Sequence, residues 1–163
     1  MKRLFFLMFC SSLMVACTAQ PALPVLSAQA YGAVRFGESL VETEARLQQN
    51  AVPEIRTESC SYITFAQYPD IRFMIENGIV TRADAGPDIV NTSGFAIGGD
   101  SAELAKANPQ IKIMPHKYEP ESHYLILAAP DQMSALVFEE SGGRITKVRA
   151  GVEPSVEYVE GCG

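Results

Sequence analysis

The side chains able to do chemistry in this 163-residue chain are four cysteines and two histidines, with carboxylates scattered around them. His116 and His123 lie near Glu119 and Glu121. A divalent-cation site there would need further His or Cys ligands, or a carboxylate cluster, at ligating spacing. The sequence offers neither, so these residues read as a solvated loop and no metal is expected. No His-Glu-x-x-His run, Gly-x-Ser-x-Gly elbow or phosphate-cradling glycine loop occurs. Gly98-Gly99 precedes a helical stretch, where backbone N–H groups can hold an anion. Two glycines in a tight strand-to-helix turn need no ligand, however. A Cys/His catalytic pair would require a free thiolate, and the thiols have a better use. The expectation is a protein that is not an enzyme and carries no cofactor. Glu153, Glu157 and Glu160 recur near the C-terminus, the last two on a run read as a last short strand, Ser155 to Glu160. They suit a solvated edge that resists sheet-to-sheet association.

Of the cysteines, Cys17 is the most informative. Lys2 and Arg3 open an apolar run, Leu4 to Val15, that ends in small residues at Ala16-Cys17. A positive start, an apolar core and a small-residue cleavage point make an export signal over residues 1–16. The run is too short to remain as a membrane span. Leu13-Met14-Val15-Ala16-Cys17 resembles the lipobox of bacterial lipoproteins. That resemblance implies cleavage before Cys17, a thioether to diacylglycerol and acylation, including palmitate, at the new N-terminus. The membrane is then a partner through the lipid. Thr18, where Asp would retain an inner-membrane protein, implies the outer membrane, facing the periplasm.

Removing residues 1–16 takes two basic residues and no acidic one, leaving a net charge of 11 − 19 = −8. An acidic chain without a basic cluster has little to offer a phosphate backbone, so no nucleic-acid partner is expected. Cys10 is lost with the leader and Cys17 goes to the lipid. Cys60 and Cys162 remain, an even pair in an oxidising compartment, and are read as a disulfide. The competing reading is two buried free thiols. The bridge would close a loop of about 100 residues, worth on the order of 4–5 kcal/mol on the chain-entropy model.

The elements follow from local signals. Residues 17–30 hold no charge and two prolines, and read as the lipidated cysteine with a flexible tether reaching roughly 20 Å. Ser39 with Glu42 has capping-box spacing, and Asp100 with Glu103 repeats it. Leu40, Val41, Ala45 and Leu47 give the first helix an apolar stripe. The second, with Ala102, Leu104 and Ala105, should stop before Asn108-Pro109. Asn77-Gly78 is a two-residue hairpin turn, and Gly142-Gly143 is its counterpart. Residues 71–86 align without gaps on 136–151. Phe73/Phe138, Gly78/Gly143, Thr81/Thr146, Ala85/Ala150 and Gly86/Gly151 are identical. The expected fold is α+β: two tandem units of strand, helix and three antiparallel strands, at 31–90 and 91–163, with the helices on one face of the sheet. The segment Pro109 to Pro120 has no counterpart in the first unit.

A helix opened by Gly-x-Ser or Gly-x-Asp and followed by a three-stranded meander resembles the SmpA/OmlA-type domain of envelope lipoproteins. Two such units in tandem are similar to the secreted β-lactamase-inhibitor-protein type. The resemblance implies an exposed sheet face that binds another protein. A protein-binding or scaffold role is therefore the leading expectation, with inhibition of an exported hydrolase, such as a β-lactamase or a cell-wall enzyme, as the alternative. Tyr62, Tyr68, Tyr118 and Tyr124 are the candidate interaction residues, because a tyrosine offers an interface both an apolar ring and a polar tip.

Overall fold

The computed structural model describes residues 23–57 and 59–162. The leader, Cys17 and Thr18 lie outside the described residues. The fold is mixed sheet and helix. A small hairpin of β1 (Ala30–Tyr31) and β2 (Val34–Arg35) precedes helix α1 (Leu40–Leu47). Strands β3 (Val52–Arg56), β4 (Cys60–Phe65), β5 (Tyr68–Glu76) and β6 (Ile79–Ala85) follow. Then come α2 (Ser101–Ala107), β7 (Lys112–Pro115), β8 (His123–Ala128), β9 (Ser134–Ser141) and β10 (Arg144–Val152). Strands β3 to β10 form one antiparallel sheet in the order β3-β4-β5-β6-β10-β9-β8-β7.

Local chemistry sets the helix ends. Ser39 Oγ accepts from the Glu42 amide at 3.2 Å, and Glu42 Oε2 accepts from the Ser39 amide at 3.2 Å, so both orphan donors are satisfied reciprocally. Asp100 Oδ1 accepts from the amides of Ala102 and Glu103, without the return bond. α2 ends at Ala107, immediately before the Asn108-Pro109 stop. Each hairpin turn sits at positive φ, with Asn77 at 50° and Gly78 at 81°, and Gly142 at 58° and Gly143 at 78°. That is the geometry the primed two-residue turns require.

Alternation along the strands divides the sheet into two faces. One face carries Ile63, Phe65, Phe73, Val80, Leu125, Leu136, Phe138 and Ile145, which are buried with Leu104 of α2 in a single cluster running through both ends of the sheet. Phe73 and Phe138 are fully buried. Leu40 and Leu47 of α1 pack against the same cluster, while Val41 is 74% exposed and Ala45 also faces out. The stripe of α1 is therefore narrower than its sequence suggested, and Thr43 fills the buried position between.

Four sequence expectations change. Leu26, expected within the tether at 17–30, belongs to the folded body: it is fully buried and exchanges backbone hydrogen bonds with Val90 and Thr92. Each end of the sheet holds four strands after its helix, not three. Lys112–Pro115, read as part of an unmatched loop, is an edge strand paired with β8, just as β3 pairs with β4. The β-prone run Gly94 to Ile97, the first strand expected of the second unit, is not a strand. Finally, Ser155–Glu157 is a 3₁₀ turn, not a strand, and it begins a C-terminal strap laid across the sheet face opposite the helices.

Candidate functional site

The second sheet face is where charge collects. Along the pairing direction, Arg72 of β5 faces Asp84 of β6, and Asp84 faces Arg149 of β10. Arg82, two residues from Asp84 on the same side of β6, donates from Nε to Asp84 Oδ1 at 2.7 Å. One carboxylate thus has three guanidiniums for neighbours. A second acid, Glu139, stands on β9 opposite Lys147. It accepts from Lys147 Nζ at 2.9 Å and from Arg149, and His116 Nε2 lies 3.7 Å away. Burial pushes the Glu139 carboxyl up, but Lys147 and Arg149 outweigh it and hold it below the ordinary carboxylate range. Arg82, Arg149 and Glu139 are all at least 95% buried, so each charge depends on these partners for compensation.

Two of the arginines hold the strap. Arg149 Nε donates to the Val156 carbonyl at 2.6 Å, and Arg82 donates to the Tyr158 carbonyl. The fully buried Val156 packs with Tyr124, Ile126, Ala135 and Val137, giving this face a small apolar core of its own. Ser155 donates to Glu76, and Lys117 Nζ pairs with Glu160 at 2.8 Å, joined by the Tyr118 hydroxyl. These contacts pull the Glu160 carboxyl down to about 2. The strap ends at the Cys60–Cys162 disulfide, with Cα atoms 5.5 Å apart, inside the span a bridge accommodates. Gly161 crosses the Tyr62 ring at φ 66°, where a Cβ would come within 2.3 Å of the hydroxyl.

Between strap and sheet lies a cleft of about 440 Å³. Arg72 stacks over Tyr62, 4.9 Å from the ring centroid, with its side chain 48% exposed. Lys147, from β10, also lines the cleft with its side chain 66% exposed. Burial and the Asp84 charge push the Tyr62 hydroxyl well above its ordinary value, so it enters the site as a neutral hydrogen-bonding group.

The four tyrosines singled out from the sequence do not form one exposed aromatic patch. Tyr62 and Tyr124 take matching places in β4 and β8 on the second face, where both are buried. Tyr62 is the only one of the four that lines the cleft. Tyr68 packs edge-on to Tyr31 at 5.0 Å and accepts from the Ala33 amide, which fixes the N-terminal hairpin. Tyr118 is 60% exposed at the strap's edge. His116, read as a solvated loop residue, is instead largely buried and stacked on Tyr124 at 4.6 Å. His123 pairs with Glu140 at 2.7 Å.

Sequence reasoning missed Arg72, Arg82, Asp84, Glu139, Lys147 and Arg149. The available signal was charge at alternate positions within otherwise apolar strands: Arg82/Asp84 in β6 and Lys147/Arg149 in β10. Such spacing places charges on one face. No protein-family model, curated protein or solved structure matches this chain.

Proposed function

We propose that this chain is a bacterial envelope lipoprotein, lipidated at Cys17 and held at the periplasmic face of the outer membrane, that binds another protein and catalyses no reaction. The location rests on the leader and the Leu13-Met14-Val15-Ala16-Cys17 lipobox resemblance. The Cys60–Cys162 bridge suits an oxidising compartment. The binding role rests on one observation: strands from both ends of the sheet, with the strap, frame a single charged cleft on the face opposite the helices.

The body is a tandem of two SmpA/OmlA-like units. Several matched features support this. The hairpins β5–β6 and β9–β10 each carry a one-residue bulge, at Thr81 and at Thr146. Each threonine hydroxyl donates to the equivalent carbonyl, Met74 at 3.4 Å and Glu139 at 3.2 Å. Both helices are entered through the same pair of backbone bonds. The Gly37 amide donates to the Val80 carbonyl, and the Val80 amide donates back to the Glu38 carbonyl. Gly98, Ile145 and Gly99 repeat that exchange. Asp84 and Arg149, equivalent in the sequence alignment, are also register partners across β6 and β10. Two copies related by a two-fold axis at that pair would meet in this way.

Two measurements test the proposal. Palmitate labelling should be lost, and the protein released from envelopes, in Cys17→Ser. Chemical crosslinking of intact envelopes should recover the chain with a discrete protein partner. A Cys17→Ser protein still partitioning with membranes at unchanged mass would overturn the location. Recovery of the chain alone would overturn the binding role.

A further inference from the structure

We infer that the cleft receives the carboxylates of an acidic segment of a partner protein, with Arg72 and Lys147 as the contacting cations. This names the partner chemistry for the binding role proposed above, and rests on it. The charge balance inside the cleft carries the inference. Four permanent cations, Arg72, Arg82, Lys147 and Arg149, share two carboxylates there, Asp84 and Glu139. Glu160 at the rim is already engaged by Lys117. The whole chain has a formal charge of −6, so a surplus of positive charge in one concavity runs against its composition. An excess of one sign of charge in a cleft with low-dielectric walls focuses the field on an incoming counter-charge, and Ile97 and Val159 supply apolar lining here.

The four cations are not equally free. Arg82 and Arg149 are buried and spend their donors on strap carbonyls and on Asp84 or Glu139. Arg72 reaches Asp84 only at 4.0 Å, and its guanidinium is laid over Tyr62. A stacked planar fork is already oriented for a two-point bond to a carboxylate, and loses little freedom on forming it. Lys147 gives one bond to Glu139 at 2.9 Å, but its ammonium is on a side chain 66% exposed and keeps two further donors. A run of acidic side chains, rather than a single small anion, fits two cations that line one cleft from β5 and β10, strands separated by β6.

The test uses the full-length protein in detergent micelles, titrated with a fluorescent hexaglutamate peptide. Hexalysine serves as the control and inorganic phosphate as the competitor. Hexaglutamate should bind, hexalysine should not, and the combined Arg72→Gln, Lys147→Gln protein should bind about tenfold or more weakly, because two charge-assisted contacts are gone. The variant's thermal unfolding is recorded alongside. If its fold is lost, Arg72→Gln alone, which removes only a half-exposed side chain, should show a loss of affinity in the same direction. Unchanged affinity in the folded variant, no hexaglutamate binding, or equal displacement by the same concentration of phosphate would overturn the inference. A partner still crosslinked in envelopes by the double variant would leave the binding role standing while removing this account of it.

Discussion

Glu139 shows how much one side chain organises. It is buried against Arg149, which is itself only 2% exposed. Deleting one member of such a pair leaves the other charge uncompensated in a low-dielectric site. Glu139→Ala should therefore cost about 3–5 kcal/mol, read by urea unfolding. The acid dependence follows from the direction of its shift. Its folded-state pKa is lowered by Lys147 and Arg149 against the upward push of burial. The carboxylate thus contributes stability in full above the unfolded-state value, near 4.3, and that contribution is lost as pH falls through the lower folded value. Between about pH 5 and 3, unfolding free energy should fall less steeply in Glu139→Gln than in the unaltered protein. An unchanged slope would mean that the pair does not govern acid unfolding. None of this was legible in sequence. Glu139 and Glu140 look like interchangeable surface acids until the strand phase places one under the strap.

At the scale of elements, turns and caps were the legible part. Asn77-Gly78, Gly142-Gly143, Ser39 and Asp100 announce themselves because each answers a local backbone need. The edge strands β3 and β7 did not. Each contains a proline and little alternation, and each is defined by its neighbour's hydrogen bonds rather than by its own pattern. The 3₁₀ turn at Ser155–Glu157 was hidden for the same reason: its conformation is set by the face it crosses. The junction of β6 and β10 is the least forgiving place in the sheet. A Cβ on Gly151 would stand 2.3 Å from the Thr81 carbonyl oxygen and 2.8 Å from the Arg82 Cα. These are backbone atoms, so no rotamer change relieves the clash. Gly151→Ala should destabilise by about 1–3 kcal/mol, with a lowered unfolding temperature as the readout. A neutral outcome would show that the two strands can part without loss.

Over the whole molecule, the strap and its disulfide join one edge region of the sheet to the far end of the chain. The pair spans 102 residues. Reducing it, or replacing both Cys60 and Cys162 by serine, should cost about 4–5 kcal/mol on the chain-entropy model and loosen the wall of the cleft. Chemical denaturation with and without reductant measures that difference. The cysteine pairing was legible because Cys60 and Cys162 are the two cysteines outside the N-terminal segment, and the mixed helix-and-sheet class because cap and hairpin-turn signals alternate along the chain. The cleft was not, because it exists only once two distant hairpins share a sheet and the C-terminus folds back over them.

The proposed binding face can be tested directly by placing a photo-crosslinking amino acid at position 72, inside the cleft, or at position 41, on the outer surface of α1, and irradiating intact envelopes. A discrete crosslinked protein from position 72 and none from position 41 is the predicted result. Crosslinks from 41 alone, or from neither, would contradict it.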